Sequence, residues 1–205
     1  MKWLNNEGQM DSIIERRSIR KYKETEVSKE QIEEIVEAAI KAPSAKNRQP
    51  WKYLVYSGSA KNELLDIMEV ALDKENETHA LLPDSAGGIT DAYFTLKIMR
   101  QAPILIIIMN TNGKSPFENI NADDRISEIC DTLSIGASIE NMLLKATEIG
   151  LGTLWIANTC FAYKDLTSFI GEEGQLIGAV AVGYADETPN ARPRKPVEAI
   201  LEFRK

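Results

Sequence analysis

Five basic residues, Arg16, Arg17, Arg20, Lys21 and Lys23, crowd into one short stretch near the start of the chain, and Arg192, Arg194 and Lys195 form a second cluster near its end. Guanidinium groups offer planar, paired donors that match phosphate oxygens, and Ser18 adds a hydroxyl between the arginines. Brought together, the two clusters would make a specific monophosphate site. Taken alone, the first also reads as a solvated face balanced by Glu15, Glu24 and Glu26. No GxGxxG or GxxxxGK[ST] loop occurs, so side chains must hold any phosphorylated cofactor.

A second concentration of polar chemistry is Pro43-Ser44-Ala45-Lys46-Asn47-Arg48-Gln49-Pro50-Trp51. Small residues beside Asn and Gln amides, framed by two prolines, give a stiff backbone that can lie against a flat ring and hydrogen-bond its edge. The plainer reading is a structural turn. His79 is the sole histidine, and Cys130 and Cys160 are the only cysteines. That inventory supplies neither a zinc set nor a histidine-based nucleophile, so no metal site and no catalytic side chain is expected. Cys160 reads as a buried structural thiol and His79 as solvent-facing.

Composition bounds the class. The chain has 205 residues, 43% hydrophobic and 27% charged, which suits one globular domain over 1–205 with a substantial core. The longest apolar run, 104–109, is far too short to span a bilayer. The stretch 1–7 lacks the apolar segment of a secretory signal, so a cytoplasmic protein is expected. With 24 Lys and Arg against 31 Asp and Glu, the net charge of −7 argues against coating nucleic acid or anionic lipid.

The elements that must position these residues follow from periodicity. A first helix starts near Asp11 and carries Ile13 and Ile14 inward. Ser28 with Gln31 forms a capping box, Val27 and Ile32 a hydrophobic staple, and the helix they open stops before Pro43. Residues 51–56 read as a strand, and 59–72 as an amphipathic helix with Leu64, Leu65, Met68 and Leu72 inside and Lys61 outside. Residues 73–92 lose periodicity and read as a mobile excursion, a lid or an interface arm. The continuous run 103–109 reads as a strand covered on both faces. A long helix over 123–148 has Glu140 as its only charge between Asp131 and Lys145, and Ser134, Gly136, Ala137 and Ser138 would admit a second backbone. It is a candidate for the centre of a dimer, the plainer reading being the central helix of a monomer. Gly150 suits a left-handed cap. Strands over 153–156, 176–182 and 197–203 complete an α+β count.

Four segments together carry a resemblance. Arg16-Arg17-Ser18-Ile19-Arg20-Lys21-Tyr22, Ala42-Pro43-Ser44-Ala45-Lys46-Asn47-Arg48-Gln49-Pro50-Trp51, Glu148-Ile149-Gly150-Leu151-Gly152-Thr153-Leu154-Trp155-Ile156 and Arg192-Pro193-Arg194-Lys195-Pro196 resemble, in order and spacing, the FMN-dependent nitroreductase family. The resemblance implies an α+β sandwich, with a central, mainly antiparallel sheet flanked by helices, in an intertwined homodimer with FMN at the subunit interface. It implies that Arg16, Arg17, Ser18, Arg20, Arg192 and Arg194 hold the phosphate and ribityl chain. Pro43, Ser44, Ala45 and Asn47 would reach the isoalloxazine of the partner subunit. Trp155, Ile156, Ala157 and Asn158 would line the ring's other side, with Trp155 standing where many members have proline.

The implied activity is an NAD(P)H oxidoreductase that reduces nitroaromatics, quinones or similar flat acceptors in two half-reactions, with NADH or NADPH as reductant. Two alternatives are a relative with specialised chemistry, flavin fragmentation or reductive dehalogenation, and a non-catalytic flavin store or sensor. Residues 73–92 and 112–121, with Phe117 either over a substrate or packed beneath a loop, would carry the first of these differences.

Overall fold

The computed structural model describes residues 11–204. The stretch 1–7, read above for export, lies outside them. Four strands form an antiparallel sheet: β1 (Trp51–Ser57), β2 (Ile104–Asn110), β3 (Gly152–Ile156) and β4 (Gln175–Gly183), in the order β1-β2-β4-β3. The helices are α1 (Ser12–Glu15), α2 (Lys29–Ala39), α3 (Gly58–Thr78), α4 (Ile89–Gln101), α5 (Ala122–Glu148) and α6 (Tyr163–Ile170).

Strand β2 is buried at every position, and its alternation divides the core in two. Leu105, Ile107 and Met109 pack with Ala179 and Ala181 of β4 against Leu64, Leu65 and Met68 of α3, Leu96 and Met99 of α4, and Leu166 of α6. Ile104, Ile106 and Ile108 point the other way, with Val180 and Val182, onto Ile32 and Ile35 of α2 and Ile135, Ile139 and Met142 of α5. The sheet is thus sandwiched between two helical layers, as expected.

Local chemistry sets the boundaries. The Ser28 hydroxyl accepts from Gln31 N at 3.2 Å and the Gln31 side chain accepts from Ser28 N at 3.2 Å, so the reciprocal cap that opens α2 forms. Gly150, at φ +81°, turns the chain off α5, and Leu151 N donates back to Ala146 O at 2.7 Å.

Several expectations are corrected. Ile13 and Ile14 are exposed, because the four-residue α1 has no core face to offer. Lys61 is buried: its stem lies in the core, and its ammonium donates to the carbonyls of Arg100 and Ala102 that α4 leaves open at its end. Residues 73–92 are not an irregular excursion. Helix α3 continues to Thr78, a 3-10 turn covers Pro83–Gly88, and α4 begins at Ile89. The buried Glu75 carboxylate accepts from the backbone N–H groups of Leu81 and Leu82, which ties down the connection between them. The last strand does not form: Val197–Ala199 is a 3-10 turn, and Ile200, Leu201 and Phe203 are exposed. An extended segment whose alternate residues are apolar finds no edge of its own sheet to pair with.

Candidate functional site

Chain pairing brings the two basic clusters together. Ser18 bridges Thr153 of β3, and Ile19 N donates to Thr153 O at 2.9 Å. Gly152 is required there, since a Cβ would lie 2.8 Å from Ile19 Cγ1. On its other side the segment meets the chain leaving β4: Lys23 N donates to Tyr184 O and Asp186 N to Lys21 O, each at 2.9 Å. The Glu187 carboxylate accepts from Arg20 N and Lys21 N. This zipper delivers residues 189–194 beside residues 13–20.

The result is a cavity of about 550 Å³ lined by Arg16, Arg17, Ser18, Arg20, Arg192 and Arg194, with Ile13, Ile14 and Pro189 at its wall. Among the described residues, only Arg16 of these five arginines meets a carboxylate, Glu140 of α5 at 3.0 Å. Arg17 donates to the carbonyls of Ile14 and Arg16 at 2.6 and 2.9 Å, Arg20 to Ser18 O at 3.1 Å, and Arg194 to Arg192 O at 3.1 Å. Carbonyls orient a guanidinium without cancelling its charge, so the cavity stays strongly positive within an acidic protein. Arg17 Nε is buried with no acceptor among the described residues. An orphaned, charged donor in a positive cavity is what an anionic ligand would satisfy.

The loop with Pro43, Ser44, Ala45 and Asn47 lies elsewhere. Ala45 N donates to Ser134 Oγ at 3.2 Å and Gln49 N to Ser44 Oγ at 3.0 Å. Arg48 pairs with Asp131 at 2.6 Å. Lys46, Asn47 and Gln49 all have left-handed backbone, φ 53°, 53° and 48°, each unfavourable by on the order of 1 kcal/mol.

Helix α5 separates the loop from the cavity. Asp131, Ser134 and Ser138 recur at the spacing of one helix face, the face that meets the loop and, through a 2.7 Å contact between Ser138 Oγ and Tyr53 OH, strand β1. Gly136 and Glu140 lie on the opposite face, toward Trp155 and Arg16. A single copy of the chain therefore does not bring its own loop to its own cavity.

Beyond Ser18 and Thr153, β3 runs on to the remaining candidates. Trp155 is 44% exposed and its ring lies over Gly136, Ile156 is buried, Ala157 is exposed and Asn158 half-buried. Burial pushes the Cys160 thiol up, which makes it a poor nucleophile. Phe117 packs edge-on against Tyr163, ring centres 5.5 Å apart, which favours packing under its loop.

A model of the Nitroreductase family matches residues 13–184. The chain belongs to the nitroreductase family. Over 190 residues, 91% of this chain and 89% of the other, it is 26% identical to the Bacillus subtilis protein named "Putative NAD(P)H nitroreductase YfhC". A BluB-like flavoprotein of Clostridium difficile 630 superposes with a TM-score of 0.74 at 26% identity, over 95% of this chain and 98% of that one. The FMN-dependent nitroreductase NfnB of Mycobacterium smegmatis, solved with NADPH, shares the fold with a TM-score of 0.72 at 22% identity, covering 95% and 96%.

Two interactions at the site escaped the sequence reading. The Arg48–Asp131 pair had a signal, a lone acid where the apolar stretch of α5 begins. The contact of Thr95 with Asn158 had none, because the start of α4 fell in the stretch 73–92 read as irregular and the rest of that helix was not read as an element.

Proposed function

We propose that this nitroreductase-family chain is an FMN-dependent NAD(P)H oxidoreductase acting on nitroaromatics, quinones or similar flat acceptors, and that it works as a homodimer. The observation that carries the reading is the basic cavity, one of whose lining residues, Arg17, has a buried Nε without an acceptor among the described residues. Its donor set fits a phosphate dianion: Arg16, Arg17, Arg20, Arg192 and Arg194 supply charge, and Ser18 a hydroxyl. Relatives named for FMN and NAD(P)H in the same family support the assignment.

Bound FMN would supply the redox chemistry, hydride uptake from NADH or NADPH and electron delivery to a flat acceptor. The chain's own residues bind and orient. Backbone N–H groups near Ala157 and Asn158 are assigned to the ring's edge. The positive charge of Arg20 favours the anionic reduced ring. Pro43, Ser44, Ala45 and Asn47 are assigned to the ring in the partner subunit, which agrees with their separation from the cavity by α5. No side chain is required to act as nucleophile or general base.

The test is the visible absorbance of FMN-reconstituted protein under anaerobic conditions, before and after NADH or NADPH. Bleaching within seconds is expected. Bound flavin that neither nucleotide bleaches would overturn the oxidoreductase reading in favour of a store or sensor.

A further inference from the structure

Thr95 belongs to α4, a helix that contributes none of the candidate cofactor-binding residues, yet its hydroxyl reaches the turn after β3. Thr95 Oγ1 lies 2.8 Å from Asn158 Oδ1, closer than the 3.0 Å to the Ala92 carbonyl of its own helix. The same turn is packed on the start of α4 at Gly88, where a Cβ would come within 2.8 Å of the Phe161 ring. Helix and turn are therefore in contact at two places.

With the single Thr95 hydroxyl proton given to the nearer acceptor, Asn158 Oδ1, the two N–H donors of the asparagine turn away from Thr95. Asn158 Nδ2 makes no hydrogen bond with another described residue and is not a buried orphan, so it is presented toward solvent. Ser18 of the basic cavity pairs with Thr153, five residues before Asn158, which puts the amide at most about 17 Å along the chain from the arginines. A ligand with phosphate at one end and a ring at the other would bring its ring to the Asn158 end.

We propose that Thr95 is a positioning residue for flavin reduction, fixing the Asn158 side-chain amide with its donors turned toward the ring; the proposal rests on the FMN reading above. Donors aimed at the ring favour the reduced form, which carries added negative charge. Phosphate binding belongs to the arginines, so Thr95 is expected to govern the rate of reduction rather than flavin retention.

The experiment compares wild type with Thr95→Val, Thr95→Ser, Asn158→Ala and the double variant Thr95→Val/Asn158→Ala. It reads the Asn158 side-chain amide resonances in flavin-free protein, identified by their loss in Asn158→Ala, and then FMN retention and the rate of anaerobic flavin reduction at saturating NADPH or NADH. Thr95→Val is expected to move the amide resonances and keep FMN, and to slow reduction about fivefold, the worth of one net hydrogen bond. Thr95→Ser should restore both, and the double variant should be no slower than Asn158→Ala alone. Amide resonances unmoved by Thr95→Val, or a Thr95→Val effect equally large in the Asn158→Ala background, would overturn the proposal. Wild-type protein that takes up no FMN would overturn the FMN reading and this proposal with it, whereas loss of flavin in Thr95→Val alone would overturn only the positioning role.

Discussion

Arg48 and Asp131, 83 positions apart, are joined through two contacts to one oxygen: Arg48 Nε and Nη2 lie 2.9 and 2.6 Å from Asp131 Oδ1. The other carboxylate oxygen accepts from Asn112 Nδ2 at 3.3 Å, and Asp131 is only 2% exposed. Arg48 follows Asn47 directly, so the pair fastens the strained Pro43–Asn47 loop to α5. The left-handed backbone at Lys46, Asn47 and Gln49 would relax without such an anchor.

Removing the carboxylate leaves a partly buried guanidinium without its counter-charge. Asp131→Ala is expected to destabilise the fold by about 3 kcal/mol, the low end for a broken buried pair because Arg48 retains some contact with water. Asp131→Asn keeps the shape and an acceptor and should cost less. Urea denaturation of both variants measures the difference, and an Asp131→Ala midpoint equal to wild type would show that the loop is anchored elsewhere.

The arginine cavity makes a separable prediction about binding. Arg16→Ala combined with Arg194→Ala removes a guanidinium from each cluster, and FMN affinity should fall by about 100-fold or more, as expected for two charge-assisted contacts. Arg17→Lys should also weaken binding, because an ammonium cannot reproduce the Nε donor now without an acceptor. Equilibrium dialysis against FMN reads both, and undiminished retention in the double variant would remove the phosphate from this cavity.

What the sequence made legible and what it hid have physical causes. The capping box at Ser28, the all-buried β2 and the left-handed Gly150 are local codes, written in neighbouring residues, and each forms as read. Convergence of Arg16–Arg20 with Arg192–Arg194 was legible only as chemistry, two clusters suited to one anion. The pairing of Ser18 with Thr153 and of Tyr22 with Ala185, which produces it, is long-range and leaves no local mark. Helix α4 was missed because Pro83, Gly87 and Gly88 immediately precede it and break the pattern. Lys61 was placed outside because its partners, two carbonyls at the end of α4, belong to that missed helix. Val197, Ala199, Leu201 and Phe203 show the alternation of a strand, but alternation does not supply a neighbour to pair with.

Alkaline pH offers a test of the contact between β1 and α5. Burial raises the Tyr53 hydroxyl from 10.0 to about 12, and the Ser138 hydrogen bond opposes that shift. The folded protein therefore keeps this proton over a range where the unfolded chain has lost it. Its contribution to stability is fully present below pH 10 and is lost as pH rises from 10 to 12. Buried Tyr22, also raised, adds to the same slope. Stability measured by urea titration should fall across that window, and Tyr53→Phe should make the fall shallower. An unchanged slope in Tyr53→Phe would mean that the Tyr53 hydroxyl titrates normally.

The homodimer is the part of the proposal that most needs a second copy, and α5 says where. Ile126, Ile129 and Leu133 are exposed on the face of α5 opposite buried Asp131, Ser134 and Ser138, with Leu133 at 71% and Trp155 beside the same face. A stripe of large apolar residues left open in one chain is the signature of a covered interface. Leu133 is largely exposed in the single chain, so Leu133→Lys should change the stability of an isolated copy by no more than about 0.5 kcal/mol. It should nonetheless convert a dimer to a monomer in light scattering at micromolar concentration. Flavin should be lost in the same step, because the Pro43–Asn47 loop and the basic cavity stand on opposite sides of α5 and two copies are needed to bring them to one ring. Deleting residues 197–205, whose Phe203 is 81% exposed, should weaken the dimer by a route independent of α5. A folded Leu133→Lys monomer that still holds FMN at wild-type affinity would dismiss the shared site, even if the dimer itself were real.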